Sequence, residues 1–171
     1  MAVVPELLKV VTPNWPPAIE SAPIAVALVA NAGSIRGPSV SSPVSLELAD
    51  RLFAAIEQGR FDDLYELYAP DAVIWHNHDG VEQNRDDNVR LLRWVGARTN
   101  LRYAEVRREA TNRGFVQQHV LQASNAAGTV QLAACIVVTV VDGRIARLDE
   151  YLDSRQVEQF RKLAMAVDLS G

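Results

Sequence analysis

Proline almost disappears from this sequence after residue 43. Seven of its eight prolines (Pro5, Pro13, Pro16, Pro17, Pro23, Pro38 and Pro43) crowd the beginning, and only Pro70 follows. Proline removes a backbone donor and fixes φ, so this density works against helix and strand alike. Gly33, Gly37 and several serines add to it. Residues 1–43 are therefore expected to form a disordered or loosely docked segment, and residues 44–168 the folded domain.

Other scarcities exclude whole classes. A single cysteine, Cys135, rules out an internal disulfide; inside a strand-like run it reads as a small buried hydrophobe and suits a reducing, cytoplasmic setting. No apolar run approaches the ~20 residues of a membrane-spanning helix, so no membrane partner is expected. Ile24 to Ala30 followed by Asn31-Ala32 imitates a signal-peptidase site. Glu6, Glu20 and five prolines precede it, with Lys9 the only basic side chain, so a non-globular leader or an over-extended start codon fits better. The formal charge is only −4, and the arginines between Arg98 and Arg113 are interrupted by Glu105 and Glu109, so nucleic acid is not an expected partner. Phosphate loops, nucleophile elbows and dinucleotide fingerprints are missing, and no cofactor is implied.

What is present is a globular composition, 49% apolar and 22% charged, with clear periodicity. Leu48, Leu52 and Ile56 recur at helical spacing from Ser45 until Gly59, a C′ residue. A short second helix with Asp62 as N-cap runs to Pro70. Asp71 to Asn77 alternates as a strand, with Val73, Trp75 and Asn77 on one face and Ala72, Ile74 and His76 on the other. Residues 78–85 are loop-like, and Asp86 or Asp87 caps a third helix to about Val95. A four-strand antiparallel meander follows: Leu101–Ala110, Phe115–Ala123, Thr129–Val141, and a last strand after the Asp142-Gly143 turn. The third strand is apolar on both faces, which suits helices on one side and a second subunit on the other. Asp153 caps a final helix in an Asp153-x-x-Gln156 box.

Helix, helix, strand, helix and four strands define an α+β fold, a curved antiparallel sheet closing like a cone around the N-terminal helices, with a C-terminal helix. A half-open cone is hollow. On the last strand Ile145, Arg147, Asp149, Tyr151 and Asp153 alternate with Ala146, Leu148, Glu150 and Leu152. The second face sets one carboxylate between leucines, where desolvation is expected to raise its pKa.

Two stretches, Leu67-Tyr68-Ala69-Pro70-Asp71-Ala72-Val73 leading into Trp75-His76-Asn77, and Gly143-Arg144-Ile145 leading into Glu150-Tyr151-Leu152-Asp153, carry a resemblance. Over about residues 45–165 the chain resembles the nuclear transport factor 2-like superfamily, in its SnoaL-like and limonene-epoxide-hydrolase-like branch. That superfamily hosts isomerases, cyclases, dehydratases, epoxide hydrolases and non-enzymatic binding modules. The epoxide-hydrolase pattern implies Glu150 in the place of the carboxylate before the last strand's tyrosine. Gln117 and His119 stand where that pattern has an Arg-x-Asp. Trp75 and Asn77 stand where it has a water-positioning tyrosine and asparagine, so the asparagine is kept and the hydroxyl lost. The fixed guanidinium is missing from its place.

The expected site combines His119 and Glu150 as catalytic residues with Trp75, Asn77, Gln117, Leu121, Leu148 and Leu152 around a substrate. A carboxylate near an imidazole can move a proton between two positions of one molecule, suiting isomerisation, water elimination or aldol-type closure. The implied protein is a homodimer formed through its sheet, taking a hydrophobic steroid-, terpenoid- or polyketide-like molecule without a cofactor. The competing reading is a non-catalytic binding or dimerisation module. In it His119 is a satisfied structural group, Glu150 pairs with Arg147 or Arg102, and Trp75 is core wall. An open cavity of roughly 300 Å³ with His119 and Glu150 pointing in favours the first; plugging by Trp75 or Trp94 favours the second. His76 and His78 share a face, but no further ligands come at metal-binding spacing, so no metal is expected.

Overall fold

The computed structural model describes residues 42–167. The expected disordered segment, residues 1–43, therefore lies outside the described residues except for its last two. Those open the first helix, α1 (Ser42–Glu57), three residues earlier than the apolar periodicity placed it. The helix ends as its sequence requires. Gly59 takes φ +67°, its N–H donates to the Ile56 carbonyl, and the Arg60 N–H donates to the Ala55 carbonyl.

A short 3₁₀ turn (Phe61–Asp63) runs into the single-turn α2 (Leu64–Leu67), then β1 (Tyr68–His76), β2 (Glu82–Asn84) and α3 (Arg85–Gly96). The expected caps move. Asp62 caps nothing and instead pairs with Arg93, while Asn84 caps α3 by accepting from the Asp87 N–H. The meander comprises β3 (Asn100–Thr111), β4 (Gly114–Asn125), β5 (Gly128–Val141) and β6 (Arg144–Leu152), followed by α4 (Ser154–Met165). Asp142 and Gly143 both have positive φ, as a type I′ turn demands.

One curled sheet in the order β2-β1-β6-β5-β4-β3 holds these strands. The meander is antiparallel, as expected, but β1 lies parallel to β6, which makes the whole sheet mixed. Such a parallel pairing joins segments some seventy residues apart and leaves no local signature in the sequence. The concave face wraps α1, whose Leu48, Leu52 and Ile56 meet Ile74, Phe115, Ile136, Val138 and Ile145 in one buried cluster. Gly114 sits at the tightest point. With φ +155° it passes so close to β5 that a Cβ would lie 2.1 Å from the Val138 carbonyl oxygen.

Two bulges decide what faces inward. On β6, Ile145 pairs with Val140 and Arg147 with Thr139, so Ala146 is an extra residue. Alternation predicted Ile145 on the face opposite Leu148; the bulge puts both inside, and Ile145 is fully buried. On β3, Ala104 pairs with Val120 and Arg107 with Gln118, with Glu105 at φ +52°. Here the extra residue lets Tyr103 and Arg108, odd and even, both reach the interior.

α4 closes the open end of the cone. Asp153 caps it by accepting from the Arg155 and Gln156 N–H groups. The expected return arm of the capping box is absent, because the Gln156 carboxamide accepts from the Ala133 N–H on β5. Asn125 adds a second tie, donating to the carbonyls of Arg98 and Leu163.

Candidate functional site

Between sheet, α1, α3 and α4 lies a cavity of about 150 Å³. Its walls are mainly apolar, with Leu121, Leu132, Leu148 and Leu152 from the sheet and Val157 and Phe160 from α4. Trp94 of α3 is also on the wall, and the volume is about half that set as the mark of an open site.

The polar groups gather on the β1–β6 side. Parallel pairing sets His76 directly beside Glu150, and His76 Nε2 lies 3.3 Å from Glu150 Oε2. The two side chains are 10% and 21% exposed, so the pair is largely removed from water. Burial pushes the Glu150 carboxyl up. The hydrogen bond from His76 and the charges of His76, His119 and His78 outweigh it, holding the carboxyl below its ordinary value. The expected upward shift is thus reversed, by imidazoles that a strand pattern does not reveal. His76 moves the other way. Burial pushes it down, but the Glu150 hydrogen bond and the charges of Glu150 and Asp79 raise it above 6.5. His78, beside Asp79 at 3.6 Å, is lowered by burial.

Two tyrosines stand near the same carboxylate. Burial first and then the Glu150 charge raise both phenols, so each remains a neutral donor. Tyr68 donates to Asn88 Oδ1 at 3.3 Å, and Asn88 Nδ2 donates to Gln83 Oε1 at 3.3 Å. Tyr103 joins Phe53 in flanking the His119 ring edge-on, at centroid distances of 4.9 and 5.6 Å.

Of the residues expected at the site, Glu150, Leu121, Leu148 and Leu152 line the cavity. Gln117 and His119 share the inner face but sit just behind the wall, 0% and 4% exposed. Trp75 and Asn77 are placed differently from the expectation. Trp75 pairs with Asp149 on the outer face of the sheet, its ring 5.5 Å from that of Tyr151. Asn77 uses both ends of its carboxamide on the Leu152 backbone, at 2.7 and 3.1 Å, extending the β1–β6 ladder by one step. Glu150 does not pair with Arg147, which bonds Glu82 and Asp149. The site residue that sequence reasoning left out, by turning the other face of β1 inward, is His76. The alternation of Ala72, Ile74 and His76 with Val73 and Trp75 was visible; which set faced inward was not, because both are apolar. Among the described residues, no three His, Cys, Asp or Glu side chains are grouped to hold a metal ion.

The class the fold defines is an α+β cone with a hollow, on whose polar side stand two carboxylate–imidazole pairs, His76–Glu150 and His78–Asp79. Residues 49–148 match the SnoaL-like domain, more than half of the chain. The chain belongs to this SnoaL-like family. Similar solved structures include an LEH-like epoxide hydrolase of M. tuberculosis, at 18% identity and TM-score 0.60 over 73% of this chain and 94% of that one. PrhC from Penicillium brasilianum has 9% identity and TM-score 0.65, covering 73% and 90%. A nuclear transport factor 2-like protein from Burkholderia xenovorans has 16% identity and TM-score 0.59, covering 70% and 96%. Identities this low establish the fold alone. No curated protein matches the chain in sequence. No helix among the described residues is long and apolar enough to cross a membrane.

Proposed function

We propose that this protein binds a hydrophobic small molecule of steroid-, terpenoid- or polyketide-like kind and moves a proton on it without a cofactor. The reaction would be of isomerase, dehydratase, cyclase or epoxide-hydrolase type. One observation carries the reading: a largely buried carboxylate, Glu150, stands in a mainly apolar cavity with an imidazole 3.3 Å away, and a second carboxylate, Asp79, lies beside His78 on the same wall. Glu150 held ionised is ready to accept a proton from carbon or from water, and His76 stabilises its charge and can return the proton. His119 is the second catalytic group, and Leu121, Leu148 and Leu152 grip the apolar body.

The proposed protein works in the cytoplasm as a homodimer formed through the outer face of its sheet. Val137 and Tyr151, 39% and 48% exposed there, support that surface. The alternative, a non-catalytic binding or dimerisation module, draws on the small cavity volume and on Trp94 in its wall.

The deciding experiment is mass spectrometry of small molecules that co-purify with the protein, then turnover assays on epoxides, enones and hydroxyketones. Glu150→Gln and His119→Ala are each expected to abolish turnover with the fold retained. Unchanged turnover in both variants, or no turnover by the parent on any compound the cavity binds, rejects the enzyme reading.

A further inference from the structure

A chain of polar contacts runs behind the cavity from the surface to His119. Asp50 on α1, an exposed residue, accepts from Arg108 Nη1 at 2.5 Å. Arg108 Nε donates to Gln117 Oε1 at 2.6 Å. This fixes the carboxamide, because the atom facing a guanidinium must be the oxygen. The Gln117 amide nitrogen is then the atom 3.1 Å from His119 Nδ1, and it can only donate. Nδ1 must therefore be the acceptor, and the neutral ring must carry its proton on Nε2.

That Nε2 nitrogen is buried and has no hydrogen-bond partner. A buried donor left unpaired is costly, and such a group in a folded protein calls for an explanation, a catalytic or binding role being one. It lies across the ring from Gln117. His119 sits between Phe53 and Tyr103, both in the cavity wall, and is linked through Ala134 of β5 to Leu152, another wall residue.

We infer that His119 is a fixed hydrogen-bond donor rather than a base, locked as the Nε2–H form by Arg108 and Gln117, and that its Nε2–H, behind the wall residues Phe53 and Tyr103, is kept for an oxygen atom of a ligand that reaches past them. Arg108 and Gln117 are then positioning residues. The arrangement selects a neutral apolar molecule that presents a bare oxygen, a carbonyl or an epoxide, over one presenting an ammonium group. It also divides the labour: Glu150 takes the proton while His119 holds the oxygen on which charge grows. The groups facing the ring agree. Burial and the Arg108 charge from β3 disfavour protonation, opposed by Glu150 from β6, and the ring stays below 6.5. Tyr103 beside it stays neutral.

The inference rests on the cavity taking a ligand, but its first test does not. Long-range proton–nitrogen correlation spectra of the full chain, labelled in histidine, report the tautomer directly. His119 is expected as Nε2–H at about pH 7 to 8, above the ordinary histidine value from which its own is lowered. Gln117→Glu should move the proton to Nδ1, and Arg108→Met should let both tautomers appear. Wild-type His119 in the Nδ1–H form overturns the inference with no variant needed, as does an unchanged tautomer in both folded variants. Cyclohex-2-enone should shift the Nε2–H resonance and cyclohexylamine should not; a resonance indifferent to the enone overturns the ligand role. Failure of the enzyme reading shows instead as turnover surviving Glu150→Gln, whatever the tautomer.

Discussion

His76 and Glu150 are register partners on two parallel strands, and their side chains meet at 3.3 Å inside the cone. Each changes the other's proton affinity, in opposite directions. The pair therefore leaves a signature in the pH dependence of stability.

His76 has a raised folded pKa, so its contribution is complete below 6.5 and is lost as pH rises through the raised value. Glu150 has a lowered one, so its contribution is present above 4.5 and is lost as pH falls through the lowered value. The stability gap between wild type and His76→Gln should be widest between those two reference values, at about 1–3 kcal/mol, and shrink on either side. Urea unfolding across the pH range checks this, and a gap that widens toward alkaline pH contradicts the pairing.

The two faces of β1 should separate in activity. With a turned-over compound in hand, His76→Gln is expected to lower kcat at least about a hundredfold, the lower end of the usual range for acid–base partners. Trp75→Leu, on the outer face, should leave kcat within about twofold. Steady-state kinetics of the two variants would reveal a reversed order at once.

Asn77 is expected to matter for stability and not for binding. Asn77→Ala leaves the Leu152 N–H and carbonyl without their side-chain partner, a loss of about 1–2 kcal/mol at this exposed position. Thermal denaturation measures the loss, and affinity for any cavity ligand should stay the same.

Gly114→Ala should be among the most damaging small changes in the sheet. Its φ is one that side chains avoid, and the added carbon meets backbone rather than a movable side chain. A loss of at least about 2 kcal/mol is expected, read from denaturant midpoints.

Much of this architecture could be read without coordinates, and the reasons differ by element. The Asp142-Gly143 turn, the Gly59 stop and the Asp153 cap were legible because each is decided within a few residues. The inner set Leu148, Glu150 and Leu152 followed from strict alternation. Ile145 was assigned to the wrong face because one extra residue at Ala146 resets the count, and nothing in the side chains there announces a bulge. His76 was missed because either face of β1 is apolar enough to be buried, and the choice depends on pairing with a strand far along the chain. Arg108 was missed for both reasons together. The interior guanidinium sought at the Gln117 position is supplied from the next strand, which reaches inward only because of its own kink at Glu105.

Helix α4 is fastened at both ends, by Gln156 to β5 and by the Leu163 carbonyl to Asn125, and it furnishes one wall of the hollow. The other walls belong to the hydrogen-bonded sheet, to the core-embedded α1 and to α3, which Asn88 ties to Tyr68 of β1. An occupant too large for the resting space would therefore find its room by shifting this single helix. Its two amide tethers would then be the first contacts such an occupant strains.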